Sequence, residues 1–171
     1  MQPHKNVVYV NKKDKIIGSS EISEAYKSGR ITRVTRMFII NKNGELLLQQ
    51  RSAKVTLPNK WCESASGHVD VGEDYEEAAY RELKEEMGIT DIKLKEIKRY
   101  YGEEFDEASI KKRFNAIFVG KYDGKVNIDK EEVGNYRWEK LNNLKKEIAA
   151  KPNNFTGGFI KAFHFFLSLQ H

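Results

Sequence analysis

Cysteine occurs once in this chain, at Cys62, so an intrachain disulfide and any multi-cysteine zinc or iron–sulfur centre are excluded. A buried, chemically idle thiol in a reducing compartment is the plain reading. Proline is almost as scarce. Pro3, Pro58 and Pro152 stand far apart as local punctuation, and linkers, internal repeats and low-complexity tracts are absent. Nothing marks a domain boundary, and residues 1–171 are expected to form one domain. No run reaches the ~18 apolar residues that a membrane-spanning helix needs. The first residues, MQPHKNVVYVNKKDK, hold no apolar segment of signal-peptide length. The expectation is a soluble, cytoplasmic protein with no membrane partner.

Charge is plentiful but not segregated. The formal net charge of +5 suits anionic partners such as phosphates, yet it is spread along the chain, and no basic block points to nucleic acid.

The densest pattern lies between Gly67 and Ile89, where a glycine turn leads into a helix crowded with glutamates. At about 100° per residue, with Glu82 as zero, Glu86 falls near +40° and Glu85 near −60°. Three carboxylates therefore share one arc. Ala79, Tyr80, Leu83 and Met87 fill the adjoining arc as a core stripe. Like charges at these spacings repel by about 0.2–0.5 kcal/mol per pair, and a bound Mg²⁺ or Mn²⁺ converts that repulsion into coordination.

The rest of the chain places this helix. Val7 to Val10 and Ile16-Ile17 flank a polar turn and predict an N-terminal hairpin within an extension over residues 1–30. Ile22 to Ser28 predicts a helical turn. Val34 to Ile40 and Leu46 to Arg51 are apolar runs joined through Asn43-Gly44, a strong hairpin signal. Trp61 to Ser66 predicts one strand running into the glycine turn. Asp74 with Glu77 predicts a capping box, and Gly88 ends the helix. Ile97 to Phe105 and Ile110 to Tyr122 read as antiparallel strands around Asp106-Glu107-Ala108-Ser109. Tyr136 to Glu139 reads as a last strand, before helices over Leu141 to Ala150 and Phe155 to Leu169, the latter within a C-terminal segment 155–171. This order predicts an α/β fold, a mixed sheet with helices on its faces.

Gly67, Glu73, Arg81-Glu82-Leu83, Glu85-Glu86 and Gly88-Ile89, at these fixed intervals, resemble the complete signature of the Nudix superfamily. The resemblance implies an α/β/α sandwich with the 67–89 segment at one edge of the sheet. It also implies hydrolysis of a diphosphate linkage in a small molecule, with Mg²⁺ or Mn²⁺ as cofactor. Water must then reach a phosphorus shielded by negative oxygens, so cations offset the charge and a base orients the water. By resemblance Glu85 and Glu86 ligate the metal, Glu82 assists, and a carbonyl near Gly67 completes the shell. Arg81 orients the glutamates, and Glu73 braces the loop. Many members place a further catalytic acid shortly before a tryptophan-containing strand, which here gives Glu132, then Glu131, with Glu103, Glu104, Asp106 and Glu107 as rivals.

Arg51 and, more weakly, Lys54 and Lys60 are candidates for binding substrate phosphates. His68 is a candidate to face the metal, although a lone histidine is more often structural. Trp61, Tyr100, Tyr101 and Trp138 are able to stack on a base but are better read as core.

A looser resemblance covers most of the chain. VNKKDKIIG, NKNGELLLQQR, the P-x-x-W of residues 58–61 and the later FT are similar to the isopentenyl-diphosphate-isomerase-like branch. An isomerase is therefore an alternative reading. Against it, Ser66 stands where that branch has its catalytic cysteine, Lys111-Lys112-Arg113 stands where acidic metal ligands are expected, and Thr32 replaces a histidine ligand. A non-catalytic nucleotide sensor is a third reading. Sensors normally carry an added DNA-binding domain and often lose signature glutamates, and neither feature is seen here. The substrate is left open, and so is the choice between monomer and homodimer.

Overall fold

Eight of the ten residues from Ile31 to Ile40 are apolar or β-branched, which suits a strand covered on both faces. In the computed structural model, which describes residues 6–105 and 109–170, this strand is the centre of the sheet. The strands are β1 (Val7–Val10), β2 (Ile16–Ser20), β3 (Ile31–Ile40), β4 (Glu45–Arg51), β5 (Trp61–Cys62), β6 (Ala65–His68), β7 (Leu94–Phe105), β8 (Ile110–Lys121) and β9 (Val133–Lys140). The helices are α1 (Ile22–Lys27), α2 (Tyr75–Met87), α3 (Leu141–Ala150) and α4 (Gly157–Ser168). The expected hairpins and helices are all present. The acids Asp106 and Glu107 lie outside the described residues.

β3 pairs in parallel with β8 over its whole length and antiparallel with β1, β4 and β6, so the sheet is mixed. The Asn43-Gly44 turn joins β3 to β4, but those strands pair only at Ile40↔Leu46. Beyond that point they diverge. β4 continues with β5 and β9, while β3 takes β6, and the divergence opens a cleft between them.

The single strand expected over Trp61 to Ser66 is corrected here, because Trp61–Cys62 follows β4 and Ala65–His68 follows β3. Ser64 makes the crossing. Its hydroxyl donates to Leu47 O at 2.6 Å and accepts from Ile39 N at 2.9 Å, which ties β4 to β3 where they separate. The C-terminal helix likewise begins at Gly157, not Phe155, capped by the Thr156 hydroxyl.

Two layers cover the sheet. Leu83, Met87 and Ala79 of α2 bury against Met37, Ile39 and Phe118 on one face. Phe159 and Phe166 of α4 stack with Phe38 on the other, and Phe163 stacks with both of those helix rings. Asp74 and Glu77 form the reciprocal capping box of α2, worth about 1 kcal/mol, and Gly88 closes the helix at φ 67°. The N-terminal hairpin is tied to the same helix, since Tyr75 donates its hydroxyl to Asp14 at 2.9 Å. Among the described residues no helix is long and apolar enough to cross a membrane.

Candidate functional site

The diverging strands leave a cavity of about 780 Å³. Glu82, Glu85 and Glu86 of α2 line it, together with Ser66 and Gly67 of β6 and Glu132 from the loop before β9. The helix is pressed against β6 because Gly67 has no side chain: a Cβ there would lie 2.1 Å from Glu82 Cδ. Glycine at this position is thus what lets the carboxylate pass under the strand.

Glu86 is buried, at 5% exposure. Its carboxylate accepts Gln49 Nε2 at 2.5 Å and the Ser66 amide at 3.3 Å. Burial, and then the charges of Glu82 and Glu132, push its pKa well above the usual carboxylate range against those two hydrogen bonds. Glu82 is raised to about 7, chiefly by burial, with Arg81 opposing and Glu85 and Glu132 adding repulsion. Glu132 is also raised, by burial first and then by Asp129 and Glu85.

Arg81 is the local counter-charge. It donates to Glu73 at 2.5 and 2.9 Å, to Glu82 at 2.6 Å, to Glu85 at 3.4 Å and to the His68 carbonyl at 3.0 Å. Burial disfavours its charge, but Glu73 and Glu82 overcome that and hold the guanidinium protonated. Glu73 in turn accepts the Asp70 amide at 3.1 Å, bracing the loop.

Among the described residues no three His, Cys, Asp or Glu side chains stand as a ready metal-binding group, for Glu82 and Glu85 turn to Arg81 and Glu86 to Gln49. The donor set nevertheless fits a hard divalent ion. It offers only oxygens, and buried carboxylates repelling one another gain most from an added cation.

Other sequence candidates separate. Arg51 lines the cavity and donates Nε to Thr56 O at 2.6 Å, which pins the loop at the mouth. Lys54 does not line it, and pairs instead with the exposed Glu131 at 2.6 Å. Glu103 accepts the exposed Tyr101 hydroxyl. Glu104 does reach the cavity, but it is held between Arg36 at 2.7 Å and Arg113 at 3.0 Å. Those arginines outweigh its burial and lower its pKa. Thr32 is fully buried, and Ser66 lines the cavity. Trp61, Tyr100 and Trp138 pack against the cores, and Cys62 is a buried free thiol with its pKa raised by burial. His68 Nε2 and the Tyr26 hydroxyl lie 2.6 Å apart, and burial followed by the charge of Arg113 lowers the histidine to about 3.

Two participants were missed from the sequence. Gln49 stands 37 positions before the glutamate it binds. Arg36, 5% exposed, joins Glu63, Glu104 and Asn115 through strand pairing alone. The alternation of β4 placed Gln49 on a covered face, and a polar residue there was the available signal.

The NUDIX domain model matches residues 30–157. The isopentenyl-diphosphate Delta-isomerase 2 of Photorhabdus laumondii is 34% identical over 157 residues, 91% of this chain and 88% of that protein. An uncharacterised Nudix hydrolase of Pseudomonas aeruginosa is 34% identical over 133 residues, 77% of this chain and 76% of that protein. A Deinococcus radiodurans crystal structure superposes with a TM-score of 0.71 at 24% identity, over 85% of this chain and 90% of the other, which shows the fold.

Proposed function

The chain belongs to the NUDIX domain family, and from that premise we propose that it is a metal-dependent hydrolase of a diphosphate linkage in a nucleoside diphosphate derivative or related small molecule. The observation that carries this reading is the buried Glu86 beside the half-buried Glu82 that passes beneath Gly67, with Glu132 adding to the repulsion on both. Glu82, Glu85, Glu86 and the main chain at Gly67 would hold Mg²⁺ or Mn²⁺. When bound, the ion would offset charge on the phosphoryl oxygens and ease deprotonation of the attacking water. Arg81 keeps the glutamates in place between turnovers. Arg51 is positioned to bind a phosphate with its guanidinium, and Lys54, drawn to Glu131, contributes from outside the cavity. Glu132 accepts the proton of the water, and a carboxylate whose pKa burial raises is a stronger base for that role. We read residues 1–171 as one folding unit, supported by the pairing of β1 with β3 and by the Tyr75–Asp14 hydrogen bond.

Gln49 positions Glu86. Partners of metal ligands typically matter 10–100-fold, so Gln49→Met, which keeps the volume and removes the donor, is expected to weaken Mn²⁺ binding by about that factor with little change in melting temperature. Calorimetric titration with Mn²⁺ measures it, and unchanged affinity would remove Gln49 from this role.

The isomerase reading has one observation in its favour, the relative of that name at 34% identity. Ser66, Lys111 and Arg113 weigh against it, because the cavity offers neither a thiol nor a carboxylate at those positions. Incubation with isopentenyl diphosphate in deuterated water is expected to give no labelled dimethylallyl product. A release screen over nucleoside, sugar-nucleotide, dinucleotide and prenyl diphosphates is expected to find cleavage with Mg²⁺ or Mn²⁺. Enzyme-dependent deuterium incorporation would reverse the two readings.

A further inference from the structure

The glutamates occupy only one side of the cavity. Gly67 pairs with Thr35 and His68 with Val34, and neighbouring residues of a strand face opposite ways. Gly67 meets Glu82 of α2, while His68 meets Tyr26 of α1 on the other face. Arg36 shares that second face with Val34, and so does Arg113, which is level with Thr32 in the β3–β8 pairing. Lys111 is two residues from Arg113 and opposite Glu104. Tyr26, Arg36, Glu104, Lys111 and Arg113 line the same cavity as the signature glutamates.

This second wall is rich in basic side chains, each set among acids. Arg36, Lys111 and Arg113 bring three positive charges, and Glu63 and Glu104 return two, with Glu21 at the exposed mouth. It is also held in place. The Tyr26 hydroxyl accepts Arg113 Nη2 at 2.6 Å and Nε at 3.2 Å, and Lys111 lies 5.5 Å from the Tyr26 ring centre. A guanidinium has five N–H donors, more than Tyr26 and Glu104 take from Arg113.

We propose that Arg113, Lys111 and Tyr26 form a second anion subsite, which takes a phosphate monoester of the substrate at the end remote from the cleaved anhydride. The proposal rests on the hydrolase reading and narrows its substrate. A diphosphate held at the glutamate side presents its far end to this wall. A hydrocarbon there would lie against a guanidinium and return it no hydrogen bond, whereas a phosphate monoester meets the arginine fork.

Two substrate pairs share a diphosphate and differ by one phosphate monoester: coenzyme A against its 3′-dephospho form, and NADPH against NADH. With Mn²⁺ present, the phosphorylated member of at least one pair is expected to show a kcat/KM about tenfold or more higher, the size of one charge-assisted contact, mainly through KM. The ratio within the pair cancels any general loss of activity. It is expected to fall towards one in Lys111→Gln and in Arg113→Gln, and Lys111→Gln serves if the arginine variant does not fold. A ratio near one for both pairs in the unaltered protein, or one unmoved by the substitutions, overturns the subsite. Calorimetric binding of adenosine 3′,5′-bisphosphate against AMP decides it independently. If no pair is cleaved, the wider release screen judges the hydrolase reading and the bisphosphate comparison judges the subsite: tighter bisphosphate binding lost in Lys111→Gln would support it, and equal affinities would overturn it.

Discussion

Glu86→Gln is expected to lower turnover by at least ~10³-fold while leaving the protein folded, with Glu85→Gln nearly as severe. The amide keeps the volume of Glu86 and loses the anionic ligand. If the metal supplies several kcal/mol of transition-state stabilisation, removing a main ligand costs at least that factor, at tenfold per 1.4 kcal/mol. The structure sharpens the expectation about stability. Glu86 is buried and its charged form is disfavoured by burial and by Glu82, so a neutral amide should leave the melting temperature of the metal-free protein unchanged or higher. Thermal melts with and without Mn²⁺, beside steady-state kinetics, separate the effects. The added stability from Mn²⁺ should vanish in the variant, and undiminished turnover in a folded Glu86→Gln protein would sink the ligand assignment.

Glu132→Gln should reduce turnover by about 10²–10⁴-fold, the range for a positioned general base, with Mn²⁺ affinity changed far less. Glu104→Gln should behave differently. Its carboxylate bridges Arg36 and Arg113, and half-breaking a buried charge network is destabilising by about 3–5 kcal/mol in fully buried cases; at 27% exposure the loss here should be smaller. Its signature is a lower melting temperature, not a selective fall in kcat. A kcat loss confined to Glu104→Gln would transfer the base to β7, and normal rates in both variants would leave water activation to the signature glutamates.

The site was legible in the sequence where its parts are close together along the chain. Gly67, Glu73, Arg81, Glu82, Glu85 and Glu86 fall within one turn and one helix, so helical geometry alone placed the carboxylates together, and the capping box and Gly88 fixed the ends. Glu132 was legible only by its distance from a tryptophan strand. Arg36 and Gln49 were not legible, because their contacts cross 68 and 37 positions and depend on register. The same limit explains Trp61 to Ser66, whose apolar pattern fits one strand equally well. Only the separation of β3 from β4 reveals that Ser64 divides it. Lys54 lies in the turn beyond β4, three residues after Arg51, where it pairs with the exposed Glu131, a partner 77 positions away that the sequence does not show.

The central claim is tested most directly by the best-cleaved diphosphate of the release screen, incubated in ¹⁸O-water and followed by ³¹P NMR with Mg²⁺, with Mn²⁺ and with excess chelator. The expected result is ¹⁸O in one phosphoryl product when either metal is present, with no turnover in chelator and none in Glu86→Gln. Turnover undiminished by chelator, or products formed without ¹⁸O, would contradict metal-dependent hydrolysis at the glutamate site.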